Sequence, residues 1–249
     1  MVADFDGLAM KLMERDRKTY DLIKKYAPSG FEKEPMNYKD MVYEEIKKSL
    51  IETEEEAKRH SVTRKDNIFH NPCICGPQIA ENARLMAEVK YSMMNRKEDI
   101  EIVLYSAEYH DHGKAKVKLH LFFKNNGKIA REDFEEIKKH SEYGAEMIKH
   151  PYPKFLIYHH HEWWNGKGYP DGLKGRAIPL GSRIILIADA FDAMTHNRPY
   201  QKAFSKEQAL ETLKKQAEIC YDPELVEIFI AEITKKYNEE NLEKKINNN

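Results

Sequence analysis

The chain has 249 residues, enough for one large domain or for one domain with a helical extension. Its 41 Lys and Arg residues nearly balance its 42 Asp and Glu residues, so no global charge attracts nucleic acid or a membrane. Three cysteines are too few for a disulfide framework, which favours a reducing compartment, and no apolar run reaches membrane-spanning length. We therefore expect a cytoplasmic protein that binds neither DNA, RNA nor a membrane.

The first part of the chain predicts two amphipathic helices, over residues 4–26 and 37–58, because apolar residues recur there at helical spacing. The Ala-Pro-Ser-Gly stretch at 27–30 is typical of a helix stop. We expect residues 1–68 to form an N-terminal helical extension. It either packs on the core or forms a homodimer interface.

The rest of the chain reads as a succession of helices, which predicts an all-α fold with a main domain over residues 69–237. The β-branched run at 184–187 could also be a strand, but helix is favoured because no partner strand is evident. Residues 238–249 are expected to be a polar tail that frays. The predicted helices of this part span residues 76–94, 97–112, 131–150, 155–163, 182–194, 205–220 and 222–237.

Histidines and aspartates in this domain suggest a metal site. Most of the 11 histidines lie between His110 and His161. A carboxylate inside the apolar run around Asp189 is costly unless a metal, an arginine or a helix N-terminus compensates it. Together these groups form a mixed nitrogen and oxygen ligand set that suits iron or manganese. The candidates are His110, Asp111, His140, the adjacent histidines His159, His160 and His161, and Asp189.

Several stretches resemble the HD-GYP group of the HD-domain metal-dependent phosphohydrolases, in the family's order and over about residues 77–237. The glycine-rich loop NGKGYPDGLKG at 165–175 is the most specific of them. The others are HDHGK at 110–114, HSEYGAEM at 140–147, HHE at 160–162, IPLGSRIILIADAFDAMT at 178–195 and RPYQKA at 198–203.

The resemblance implies an HD-domain helical bundle that hydrolyses cyclic di-GMP or a related cyclic dinucleotide through a metal-bridged hydroxide. It implies that six residues ligate metal, with Asp111 bridging two ions: His110, Asp111, His140, His160, His161 and Asp189. Asp111 and Lys114 would be catalytic, with Lys114 near the scissile phosphate. Further substrate contacts would come from Arg198, Gly168, Tyr169 and Pro170.

The sequence departs from the family pattern at the first metal ligand, where Gln78 stands in place of a histidine. A glutamate expected near Ile74 for a third metal is also absent, so we expect two divalent ions, iron or manganese. Gln201 replaces a basic residue, which removes one phosphate contact. His112 replaces an apolar residue and either faces solvent or tunes the site. Substitute ligands, less favoured, are His60, His70, Cys73 and Cys75.

Three functions therefore stay open. The first is a cyclic dinucleotide phosphodiesterase, which the GYP loop favours. The second is an HD-type phosphohydrolase acting on another nucleotide or phosphoester. The third is a catalytically weakened nucleotide-binding signalling module, which Gln78 and Gln201 favour and the six ligands argue against. Near the loop, Trp163 and Trp164 are expected to pack in the core rather than stack on a base, and His159 to support the ligands.

Overall fold

The computed structural model of the chain describes residues 72–94, 96–117, 130–148, 151–197 and 202–247. The helices predicted over 4–26 and 37–58, and the homodimer interface proposed for them, lie outside these residues. The described residues contain eight α-helices, two 3-10 helices and no strand, so the all-α prediction is confirmed. The α-helices are α1 (Pro72–Met93), α2 (Glu98–Tyr109), α3 (Arg131–Lys138), α4 (His140–Met147), α5 (Pro151–Tyr158), α6 (Leu180–Thr195), α7 (Lys206–Lys215) and α8 (Pro223–Asn247).

Helix α6 lies at the centre of the bundle and packs on α1, α2, α7 and α8. The residues of its isoleucine run are buried, three of them completely. A helix that is apolar on most of its surface is stable only inside the core, so the preference for a helix over residues 184–187 is correct. Gly181 near its start allows close packing, because a Cβ there would lie 2.7 Å from the side chain of Leu156. This packing fixes the depth at which α6 presents Asp189.

The helix predicted over residues 131–150 is in fact two helices, α3 and α4, separated at Lys139. The Lys139 backbone N–H bonds to the Glu136 carbonyl three residues back, as in a 3-10 turn. The His140 ring Nδ1 meanwhile contacts the Ile137 carbonyl at 2.7 Å. At the break, the Ile137 carbonyl therefore contacts the side chain of His140.

Several other boundaries also differ from the predictions. Helix α2 ends at Tyr109, and a 3-10 helix over His112–Lys116 follows. The helix predicted over 155–163 runs over Pro151–Tyr158 instead, because a proline is favoured in the first helical turn. The last helix was predicted to end at residue 237, but α8 continues to Asn247 through a stretch of good helix formers.

The start of α7 agrees with its prediction. Ser205 and Gln208 form a reciprocal capping box there. None of the helices among the described residues has the length and apolar character needed to cross a membrane.

Candidate metal centre

The turn that follows α2 carries His110 and Asp111 and is pressed against the start of α4. Gly113 permits this approach, because a Cβ on it would lie 1.9 Å from the His140 carbonyl oxygen. The contact brings Asp111 Oδ1 to 3.3 Å from His140 Nε2. Both side chains are buried, so the local packing places an acid and an imidazole together away from bulk water.

All six residues predicted as metal ligands converge, and they form two groups that share Asp111. The first group is Asp111, His140, His160 and His161, and the second is His110, Asp111 and Asp189; within each group the donor atoms lie within 4.8 Å of one another. Asp111 Oδ2 faces His110 Nε2 at 3.5 Å, while Oδ1 faces the first group. One carboxylate oxygen is thus available to each group.

The histidine rings are oriented by backbone carbonyls. Nδ1 of His110, His140 and His160 contacts the carbonyl oxygen three residues back, at 2.6, 2.7 and 2.5 Å. A carbonyl can only accept, so each Nδ1 carries a proton and donates it. In the neutral form of each ring, the Nε2 lone pair then points into the cluster. Backbone contacts of this kind typically fix the tautomer of metal-ligating histidines.

The cluster has more acceptors than hydrogen bonds among the described residues can satisfy. His140 Nε2 lies 3.3 Å from His160 Nε2, so the lone pairs of these two rings face each other, and it lies 3.1 Å from His161 Nε2. Within the described part of the chain, His110 Nε2 and Asp111 Oδ1 are buried with no hydrogen-bond partner. Buried polar atoms without a hydrogen-bond partner are costly. A cation would satisfy them, so the residues present fit a metal.

The pKa values within the cluster match this chemistry. Burial, reinforced by neighbouring imidazoles, lowers the pKa of His160 well below its usual value and that of His161 to about 3. Burial raises the pKa of Asp111, but the charges of Lys114 and His110 outweigh it and hold the pKa well below the usual range. His160 and His161 are therefore neutral and Asp111 is ionised near pH 7, and these are the forms that bind metal.

The pKa of His110 responds to the two aspartates. Burial lowers it, but Asp111 and Asp189 outweigh burial and raise the pKa to about 10. Asp189 Oδ1 lies 3.7 Å from His110 Nε2. The second group therefore concentrates negative charge and stabilises any positive charge placed between its members.

The glycine-rich loop lies directly on the histidine turn. A Cβ on Gly168 would be 2.2 Å from the Trp163 backbone nitrogen, so only glycine fits this approach. The Tyr169 backbone N–H donates to the His161 carbonyl at 3.1 Å, and the two rings are 4.8 Å apart. Exposed Pro170 follows Tyr169 through a cis peptide bond. Lys114, also partly exposed, contacts Asp111 Oδ2 from the other side.

Glu162 and Asp171 anchor the loop, a role that the sequence motifs did not reveal for either residue. The buried Glu162 carboxylate accepts the backbone N–H groups of Asp171 at 2.7 Å and Leu173 at 3.0 Å. His159 Nε2 contacts Asp171 Oδ2 at 3.1 Å. This contact agrees with the supporting role predicted for His159. For Glu162 the available signal was an acid three residues before a glycine-rich loop, because such loops expose backbone donors.

Gln78 and His112 depart from the family pattern, and the structure describes the positions of both. Gln78 is exposed on α1 and donates to Asn82 at 3.3 Å. His112 is buried and its ring lies 4.6 Å from that of Tyr109, so the solvent-facing alternative is wrong.

Trp163 is 38% exposed, which contradicts core packing, whereas Trp164 is partly buried beneath Arg183. Arg198, Gln201 and the substitute ligands His60 and His70 lie outside the described residues.

A protein-family model described as an HD domain matches residues 68–225, more than half of the chain. The chain belongs to the HD domain family. This membership, with the relatives below, confirms the HD-GYP resemblance. A solved HD-domain structure, an HDG"Y"P protein from Bdellovibrio bacteriovorus, has a TM-score of 0.52 and 18% identity. The match covers 87% of this chain and 79% of that one, which shows a shared fold.

Curated relatives share part of the HD domain sequence. The chain is 34% identical over 140 residues to the cyclic di-GMP phosphodiesterase response regulator RpfG of Xanthomonas campestris, covering 54% of this chain and 37% of that protein. It is 35% identical over 147 residues to a cyclic di-GMP phosphodiesterase of Thermotoga maritima, covering 55% and 40%. For 3'3'-cGAMP-specific phosphodiesterase 2 of Vibrio cholerae the identity is 33% over 138 residues, covering 53% and 26%. The matched region spans less than half the length of these relatives.

Proposed function

We propose that this HD-domain protein is a metal-dependent phosphodiesterase that hydrolyses a cyclic dinucleotide, with cyclic di-GMP the first substrate to test. The observation that carries the proposal is the pair of ligand groups sharing Asp111, with Lys114 beside it. The relatives that are named as phosphodiesterases of cyclic di-GMP and 3'3'-cGAMP support the substrate class.

The residues that would hold two divalent ions are the six of the cluster, with Asp111 common to both ions. Imidazole and carboxylate donors in this mixture favour iron or manganese. When bound, two such ions acidify a water molecule and polarise a phosphoryl group. Every predicted ligand lies on α6, on α4 or in a turn between helices, so the site rests on the packed core.

The chain's own side chains have three tasks in the proposed reaction. The Lys114 ammonium stabilises negative charge on the phosphoryl oxygens, where a preorganised cation is most effective. The low pKa of Asp111 keeps it ionised throughout the neutral range. Tyr169, held by the loop on the His161 ring, covers one side of the site and excludes water. The phosphate contact predicted for Arg198 stays a prediction.

The test is hydrolysis of cyclic di-GMP and 3'3'-cGAMP by protein purified anaerobically, with metal content measured on the same sample. Products are resolved as linear dinucleotide or mononucleotide. We expect metal and activity to be lost together when His160 and His161 are both replaced by alanine. His196→Ala is the matched control, because His196 is an exposed histidine outside the cluster.

Different failures point to different alternatives. Protein that binds metal and cleaves bis(p-nitrophenyl) phosphate, but no cyclic dinucleotide, would act on another phosphoester. Protein without metal that still binds the nucleotide would be the weakened signalling module that Gln78 favours. Either outcome contradicts the proposal.

The proposal includes a cytoplasmic location, because the cysteine content favours a reducing compartment. The domain boundaries after residues 68 and 237 stay predictions, and so does a homodimer formed through residues 1–68. Comparing the mass in solution of the full chain with that of a chain starting at residue 69 tests the homodimer.

A further inference from the structure

One face of α3 continues the surface of the metal centre. Phe134 and Lys138 are one helical turn apart and therefore lie on the same side of the helix. The Lys138 ammonium lies 5.0 Å from the centre of the Phe134 ring and 5.5 Å from that of Tyr169. The Tyr169 ring in turn lies 4.8 Å from the His161 ring. An unbroken line of side chains thus runs from the cluster to the surface.

The outer end of this line is open to ligands. Phe134 is 44% exposed, which makes it one of the few large apolar side chains that are strongly exposed in the described residues. The Lys138 side chain is 27% exposed and pairs with Glu135 at 2.9 Å. Exposed ion pairs contribute little free energy, so Glu135 does not prevent Lys138 from binding an anionic ligand.

The neighbouring lysine provides an internal comparison. Lys139 makes the same kind of ion pair, with Glu136 at 2.6 Å, and is half exposed. Of the two, Lys138 is the one placed against the loop, through its contact with Tyr169. The two lysines therefore differ in their position relative to the site, and not in their charge or in their local ion pairs.

We infer that Lys138 and Phe134 form a subsite for the half of the cyclic dinucleotide that is not being cleaved. This inference rests on the proposed function. A cyclic dinucleotide has two phosphodiesters on opposite sides of one ring, each flanked by a base. When one phosphate is at the cluster, the other half must lie over the adjoining protein surface. Lys138 would bind the second phosphate, and Phe134 would stack on a base.

A purely supporting role for Lys138 would have a different consequence. If Lys138 only held Tyr169 in place, its loss would disturb the site for every substrate. A subsite for the second half matters only for substrates that reach it. A small diester such as bis(p-nitrophenyl) phosphate is too short to do so and separates the two roles.

The experiment compares Lys138→Gln and Phe134→Ala with the control Lys139→Gln. The measurements are Kd and KM for cyclic di-GMP, kcat, and the rate with bis(p-nitrophenyl) phosphate. We expect Kd and KM to rise about tenfold in each of the first two variants, the size of a lost base stack or phosphate contact. We expect kcat and the rate with the small diester to stay at the wild-type level. Lys139→Gln should match wild type throughout.

The inference is overturned if Lys138→Gln behaves like Lys139→Gln while the wild-type protein binds cyclic di-GMP. Equal loss with both substrates would overturn it too, and would assign Lys138 the support of Tyr169. A wild-type protein that binds the nucleotide without cleaving it still tests the subsite through Kd. A wild-type protein that neither binds nor cleaves cyclic dinucleotides removes the proposed function and the inference together.

Discussion

Gly113 sets the distance between the two halves of the candidate metal centre. A Cβ placed on it would lie 1.9 Å from the His140 carbonyl oxygen and 2.3 Å from the Gly144 backbone nitrogen. Non-bonded contacts of a Cβ atom below 3.0 Å are essentially never found. Both neighbours are backbone atoms and cannot rotate away. Gly113→Ala must therefore separate the turn from α4 by about 1 Å, a strain that typically costs about 1–3 kcal/mol of unfolding free energy.

A displacement of this size exceeds what a metal site tolerates, because ligand distances hold to within about 0.2 Å. Asp111 and His140, now 3.3 Å apart, lie on opposite sides of the contact that Gly113 makes. We therefore predict that Gly113→Ala remains folded but loses bound metal, and with it the proposed hydrolysis of cyclic di-GMP. Elemental analysis, hydrolysis of cyclic di-GMP and urea unfolding together measure these effects.

Gly144→Ala is the matched control, because it approaches the same contact from the other side. A Cβ on Gly144 would lie 3.3 Å from the Gly113 backbone nitrogen and from the Ile157 side chain, so its neighbours need to move by only a few tenths of an ångström. Alanine is also favoured over glycine within a helix, by about 1 kcal/mol. We expect Gly144→Ala to retain metal and activity. If Gly113→Ala binds as much metal as wild type, the packing of this turn does not define the site and the reasoning is refuted.

Three further predictions concern stability. Glu162→Gln should lower the unfolding free energy by about 1–3 kcal/mol, because the amide oxygen can accept one of the two loop N–H groups while the amide NH2 faces the other. The control, Glu142→Gln at an exposed position, should leave urea unfolding unchanged. Equal losses in the two variants would contradict the loop role of Glu162. Asp222→Ala leaves Arg183 buried and unpaired and should cost about 3–5 kcal/mol. Adding Arg183→Met to Asp222→Ala should recover part of the lost unfolding free energy. If the effects of the two substitutions on the unfolding free energy simply add, Arg183 and Asp222 do not act as a pair. Manganese at a hundredfold excess over Kd should stabilise the fold by about 3 kcal/mol, and a thermal shift that survives His140→Ala would exclude the cluster as the binding site.

The sequence predicted the elements of the bundle well because their apolar spacing is regular. The isoleucine run of α6 was ambiguous by periodicity alone, and the absence of partner strands decided it correctly. Helix ends were predicted less well, since they depend on side-chain contacts with the backbone. The break at Lys139 accompanies the contact between His140 and a helical carbonyl, and helical spacing does not reveal such a contact.

The composition of the candidate site was predictable because the six side chains stand in recognisable motifs. Their arrangement was not, because the sharing of Asp111 depends on the close approach at Gly113. The burial of His112 and the contact between Lys138 and Tyr169 join residues from packed elements. Contacts of this kind follow from tertiary packing, which a single sequence does not specify.

The central claim is that two ions share the Asp111 carboxylate, and the number of metal ions bound per chain tests it most directly. We predict two ions in the wild-type protein, because the cluster forms two ligand groups. We predict one in Asp189→Ala, which leaves the four-ligand group complete, and none in Asp111→Ala, which removes the ligand common to both groups. If Asp111→Ala retains the wild-type number of ions while Asp189→Ala loses them all, Asp111 is not the shared ligand and the account is contradicted.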